Sequence, residues 1–176
     1  MQQVLVLGFS VTAENPGYIE KVQAILQENA GVALRKIGLG GRQPFHLRHL
    51  LEEIVEDFAP DHVVAEFATP AFRQFSRLPV DHKETVNSLL HLCAARGIAL
   101  SFLDLPRADV DAETDWVYEM HAQACSMAGL IYRKAPEGEG LLRDVVHPAP
   151  EGVDVYAESL LELLEQKPAV PVLNGG

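Results

Sequence analysis

The sequence predicts a three-layer α/β/α sandwich built on a central parallel sheet of about five strands. Val4–Leu7 is a short, continuous apolar run closed by Gly8, the pattern of a strand buried on both faces, and Val63-Val64 and Ile98–Leu103 centre further strands. Between them lie amphipathic segments of roughly 10 to 16 residues, and that alternation builds parallel βαβ units. The composition agrees: 176 residues, 48% of them hydrophobic, are enough for one full apolar core. A single domain over residues 1–166 with a tail at 167–176 is expected.

Val4 to Leu7, ended by Gly8, is the first strand. Asn15 caps and Pro16 opens a helix with Ile19, Val22, Ile25 and Leu26 on its apolar stripe, closed by Asn29 and Gly31. Val32 to Ile37 is the second strand and runs into Gly38-Leu39-Gly40-Gly41. From Phe45, the spacing of Leu47, Leu50, Leu51, Ile54 and Val55 predicts one helix that stops before Pro60. Val63 and Val64 centre the third strand, which leads through Glu66 into Phe67-Ala68-Thr69-Pro70, and Phe72 to Pro79 reads as irregular. Val80 to Ala95 is a helix closed by Gly97, and Ile98 to Leu103 is the fourth strand. Asp111 to Met127 is helical, and Leu130-Ile131 starts a short last strand. Lys134 to Gly140 is a polar surface loop. A terminal helix follows Pro150, with Val155, Leu160, Leu161 and Leu164 inward, and the Pro- and Gly-containing tail from Lys167 reads as partly loose.

A formal charge of -11 argues against duplex nucleic acid or an anionic membrane as partner. No stretch approaches 18 apolar residues, so no membrane span is expected. The first strand starts at Val4 with no basic leader, which makes a cytoplasmic location the default expectation. Cys93 and Cys125 lie in apolar helical segments without metal-type spacing and read as reduced core residues. No carboxylate stands at ligand spacing from the histidines, so neither a metal nor a cofactor is expected. A homo-oligomer is left open.

In parallel α/β sheets, ligands gather at the carboxyl ends of the strands. Ser10, Gly41, the Thr69-Pro70 turn and the loop holding His147 all fall at or near that edge. A serine hydroxyl is a weak nucleophile and needs a neighbouring base. His147 can supply it, and Asp144, three residues earlier, can orient the imidazole through its other ring nitrogen. Backbone N–H groups of Ser10 and of Gly40-Gly41 can stabilise an oxyanion. Read singly, each piece is also an ordinary helix cap, loop pair or flexible turn.

These residues resemble the SGNH (GDSL-like) hydrolase superfamily of esterases, lipases, thioesterases and carbohydrate O-acetyl esterases, over nearly the whole domain, and the resemblance implies that family's flavodoxin-like fold. The family's Gly-Asp-Ser block resembles Gly8-Phe9-Ser10, and its glycine turn after the second strand resembles Gly38-Leu39-Gly40-Gly41. Its Asp-x-x-His-Pro block, followed by a glycine and a helix, resembles Asp144 to Pro148 with Gly152 and Tyr156. The resemblance implies Ser10 as nucleophile, His147 as base, Asp144 as orienting acid, and Ser10 and Gly41 as oxyanion donors. Two positions depart from it. Phe9 replaces the family's aspartate, and Ala68-Thr69-Pro70-Ala71 replaces Gly-x-Asn-Asp, so Thr69 is the candidate third donor. Loss of the two polar partners suggests an apolar contact between Phe9 and the Phe67-to-Pro70 turn.

The implied activity is hydrolysis of a small acyl or acetyl ester, including an O-acetylated carbohydrate, through an acyl-enzyme. The alternatives are a catalytically weakened binding module for a sugar or acyl ligand, and an acyltransferase using the same serine. Phe9, Arg42, His46, Pro70 and Arg73 are the expected substrate contacts, with Arg77 a further candidate cation. Glu66 reads as a hydrogen-bonded structural carboxylate. Trp116, Tyr118, Met120 and Met127 read as packing residues.

Overall fold

The computed structural model describes residues 1–28, 31–68, 78–108 and 116–173. Strands β1 (Gln2–Gly8), β2 (Val32–Gly38), β3 (His62–Ala65), β4 (Ala99–Asp104) and β5 (Ile131–Lys134) form one sheet in the order β2-β1-β3-β4-β5. Every pairing is parallel. The chain leaves β1 for β2 on one side and then returns to β3 on the other. The crevice above the carboxyl ends of β1 and β3 is therefore the topological switch point where such sheets bind ligands.

Side chains alternate between the two faces, as the period of a strand requires. Val4 and Val6 of β1, Val64 of β3 and Leu103 of β4 point to one face. There they pack under α2 (Tyr18–Glu28) and α7 (Pro150–Leu164), through Tyr18, Ile19, Val22, Tyr156, Leu160 and Leu163. Leu7, Val63, Ala65, Leu100 and Phe102 point to the other face. This second face is covered by α3 (Pro44–Arg48), α4 (Leu51–Phe58), α5 (Leu78–Arg96) and α6 (Trp116–Ala128). The three layers anticipated from the sequence are present.

Several boundaries differ from the sequence expectation. An unanticipated single turn, α1 (Ser10–Ala13), follows β1, and the next helix begins at Tyr18 rather than Pro16. The segment from Phe45 is two helices, α3 and α4, because Leu50 N–H turns back to Leu47 O at 2.8 Å between them. The expected irregular stretch Phe72 to Pro79 lies mostly outside the described residues, but its last two residues already belong to α5. The described part of the next helix starts at Trp116, and 111–115 lie outside.

The tail is not loose where it is described. Leu100 N–H donates to Ala169 O and Val172 N–H to Ala128 O, each at 3.0 Å, so residues 167–173 run beside β4 and the end of α6. Cys93 and Cys125 are free thiols in the core, each pushed up to about 12 chiefly by burial. Among the described residues, no helix is long and apolar enough to cross a membrane.

Candidate active site

The serine is presented by a tight turn that only glycines permit. β1 ends at Gly8, Phe9 adopts a non-helical conformation, and Ser10 opens α1, whose turn is closed by Ala13 N–H to Phe9 O at 2.8 Å. A Cβ on Gly8 would lie 2.2 Å from Thr12 Oγ1 and 2.9 Å from Glu66 Oε2. One on Gly38 would lie 2.4 Å from both the backbone N and Cα of Ala13. The two glycines thus let α1 settle onto the carboxyl ends of β1 and β2, leaving Ser10 half-buried.

The next turn starts beside the end of β1, because Leu39 N–H donates to Gly8 O at 3.0 Å. Gly41 is exposed at φ +67, a left-handed conformation that favours glycine, and Arg42 beside it is also exposed. His46 is exposed, and its Nδ1 accepts from Gln43 N–H at 3.1 Å. It therefore caps the start of α3, with its Nε2 left for other contacts.

Asp144 and His147 sit on a loop pinched at its base by Leu142 and Pro148, with Arg143 N–H donating to His147 O at 3.0 Å. Asp144 faces His147 Nδ1 with both oxygens, at 3.1 and 2.9 Å. Asp144 Oδ1 also accepts from Val146 N–H at 2.9 Å and His147 N–H at 2.8 Å. These bonds, the His147 backbone N–H first, hold the Asp144 carboxyl down at about 2 although half of its side chain is exposed. A carboxylate on Nδ1 fixes the tautomer that leaves Nε2 free to take a proton.

Two contacts bring this loop to the serine turn. Arg143 forms an ion pair with Glu14, the residue that ends α1. Val146 and Val11 are buried in one apolar cluster. Gly152 in the first turn of α7 completes the fit, since a Cβ there would meet Leu141 O at 2.0 Å. Among the described residues, no hydrogen bond joins Ser10 to His147. A cavity of about 460 Å³ opens beside Asp144, walled by Arg107, Glu137, Gly138, Leu141 and Leu142 among others.

Phe9 is a correction. It is 1% exposed, so its ring does not offer itself to substrate. It packs edge-on against Phe67 with centroids 5.7 Å apart, the apolar contact suggested where the family has a polar pair. Glu66 is fully buried and accepts from Thr12 Oγ1 at 3.0 Å, as a structural carboxylate should. Met127 is 68% exposed, not packed as expected, whereas Tyr118 is buried and donates to Leu105 O at 3.1 Å. Thr69, Pro70, Arg73 and Arg77 lie outside the described residues.

Sequence reasoning missed one buried group. Asp104, the last residue of β4, meets His121 Nδ1 at 2.8 Å, and His121 Nε2 meets His82 Nε2 at 2.8 Å. All three are nearly inaccessible, and burial, followed by the charge of His121, pushes His82 well below the usual histidine range. The available signal was the interruption of the apolar stripe Val117, Cys125, Ala128 by His121. Among the described residues, no group of three or more His, Cys, Asp or Glu side chains is arranged to hold a metal ion.

No protein-family model matches the chain, and no curated protein matches it in sequence. Solved structures do. An acetyl xylan esterase, AlAXEase, superposes with a TM-score of 0.79 at 16% identity, over 91% of this chain and 98% of its own. The psychrotrophic esterase EstA from Pseudoalteromonas sp. gives 0.77 at 14% identity, over 94% and 97%. A GDSL-like lipase from Bacteroides thetaiotaomicron gives 0.72 at 16% identity, over 93% and 88%. The 2-1-3-4-5 parallel sheet, its two helical layers and these superpositions together establish that the chain has the SGNH (GDSL-like) hydrolase fold.

Proposed function

We propose that the protein is a serine esterase acting on a small acyl or acetyl ester through an acyl-enzyme intermediate. The observation that carries this reading is the Asp144–His147 pair, hydrogen-bonded through Nδ1 at the carboxyl edge of the sheet and tied to the segment that follows Ser10. A side-chain rotation that turns Ser10 Oγ toward His147 Nε2 completes a nucleophile, base and orienting acid.

In the reaction, Ser10 Oγ attacks the ester carbonyl while His147 Nε2 takes its proton, with the charge of Asp144 favouring the imidazolium that forms. The tetrahedral oxyanion is held by the backbone N–H groups of Ser10 and Gly41, with Thr69 as third donor. The carbon–oxygen bond to the alcohol then breaks, and His147 returns its proton to the leaving alkoxide. Water repeats the sequence, His147 taking its proton, and releases the acid and Ser10. An O-acetylated sugar suits this reading, since the acetyl xylan esterase AlAXEase shares the fold. Arg42 and Arg73 would contact that same polar substrate. Transfer of the acyl group to another alcohol uses the same steps.

Pro70 stands where the family has its oxyanion asparagine, and this favours one rival: a binding module with weakened turnover. Loss of a single oxyanion donor costs about 3 kcal/mol of transition-state stabilisation, which slows a hydrolase without silencing it. Fluorophosphonate labelling and p-nitrophenyl acetate turnover separate the two. An esterase is labelled at Ser10, and both signals vanish in Ser10→Ala and His147→Ala. Equal background turnover in all three proteins, with no label, overturns the esterase reading and favours the binding module.

A further inference from the structure

The exit of β3 grips the serine turn from both sides of the sheet. Phe67 packs its ring against Phe9 on the face covered by α3 to α6. Its chain neighbour Glu66 turns to the opposite side and accepts the hydroxyl of Thr12 at 3.0 Å. Ser10 lies between the two gripped residues. The Glu66 carboxylate is also pressed against the backbone, since Gly8 has room for no Cβ in front of Glu66 Oε2 and Thr12 Oγ1. Glu66 N–H donates to Leu7 O at 2.8 Å, so the carboxylate projects from backbone already fixed to β1.

A carboxylate with no exposed surface is costly to keep unless its hydrogen bonds serve the fold. Its surroundings are polar hydroxyls: Tyr18 OH lies 3.5 Å from Thr12 Oγ1. The Tyr18 and Tyr156 phenols are both raised, first by burial and then by the charge of Glu66. Tyr18 and Tyr156 belong to α2 and α7, so the carboxylate is also a centre on which the helices of that face converge.

We infer that Glu66 and Thr12 are positioning residues, whose hydrogen bond fixes the α1 turn so that the Ser10 hydroxyl and N–H are aimed at the ester. The inference rests on the esterase reading for its kinetic consequence but not for its structural one. A nucleophile displaced by about 1 Å can lose on the order of a hundredfold in rate without weaker substrate binding. The effect therefore falls on kcat.

The test compares the full chain with Thr12→Val and Glu66→Leu, which remove the bond, and with Thr12→Ser and Glu66→Gln, which can remake it. With p-nitrophenyl acetate, the first two are expected to lose about ten- to a hundredfold in kcat with KM nearly unchanged, and their combination to fall no further than the worse single variant. The Ala13 amide, which closes α1, should exchange with solvent roughly tenfold faster in both. Thr12→Ser and Glu66→Gln should restore both readouts. Wild-type kcat and exchange in Thr12→Val overturn the inference, as does a Glu66→Gln variant as impaired as Glu66→Leu. If the wild-type chain turns over no ester and takes no label at Ser10, the esterase reading fails, while exchange at Ala13 still decides whether the pair holds the turn. Should Glu66→Leu not fold, Thr12→Val carries the same decision.

Discussion

At the scale of single residues, Asp144 has the clearest duty. Its carboxylate meets the His147 ring with both oxygens and accepts from the backbone N–H groups of Val146 and His147. Because its folded pKa of about 2 lies below the ordinary value of 3.8, this local stabilisation is fully present above the ordinary value and is lost as pH falls through about 2. Asp144 therefore stays ionised throughout the neutral range. Asp144→Asn should lower kcat by roughly a hundred- to ten-thousandfold across the neutral range while leaving the fold intact, checked by steady-state kinetics and circular dichroism. The Asp-x-x-His spacing made this pair legible in the sequence, because both partners lie in one turn. The Asp104–His121–His82 chain was not legible, since its members come from β4, α6 and α5 and only tertiary packing shows that they meet.

At the scale of elements, the site depends on glycines that let backbone segments touch. Replacing glycine by alanine in an open helix gains about 1 kcal/mol. Gly152→Ala should instead cost about 1 to 3 kcal/mol, because its Cβ would meet the Leu141 carbonyl, which belongs to the main chain. Gly38→Ala should cost a similar amount against the backbone of Ala13, and urea denaturation measures both. The sequence marked these glycines as turn formers, but what they make room for is visible only once α1 and α7 are docked. The same holds for the helix expected from Phe45. Its apolar spacing continues unbroken through Leu50 and Leu51, so periodicity alone could not locate the break between α3 and α4.

At the scale of the whole molecule, fold class was readable because buried parallel strands are rich in apolar residues, which β1, β3 and β4 show most clearly. β2 was weaker, carrying Arg35 and Lys36, and β5 ends in Arg133-Lys134; both are edge strands and need less burial. The molecule also carries an acid-sensitive core. His62 is buried against Ser101 at 2.9 Å, and burial lowers it from 6.5 to about 4. The unfolded chain takes up this proton below 6.5, whereas the folded chain resists it until about 4, so the contribution is whole above 6.5 and drains away as pH falls to about 4. It amounts to about 3 kcal/mol at most. Thermal midpoints should decline across that window, and the decline should be shallower in His62→Gln.

The hydrogen bonds of residues 167–173 have a practical consequence. Ala169 and Val172 tie this segment to β4 and to the end of α6, so opening of the amino end of β4 at Leu100 releases it. Exchange of the Leu100 amide, which donates to Ala169 O, would therefore be a clock for opening of the amino edge of the sheet.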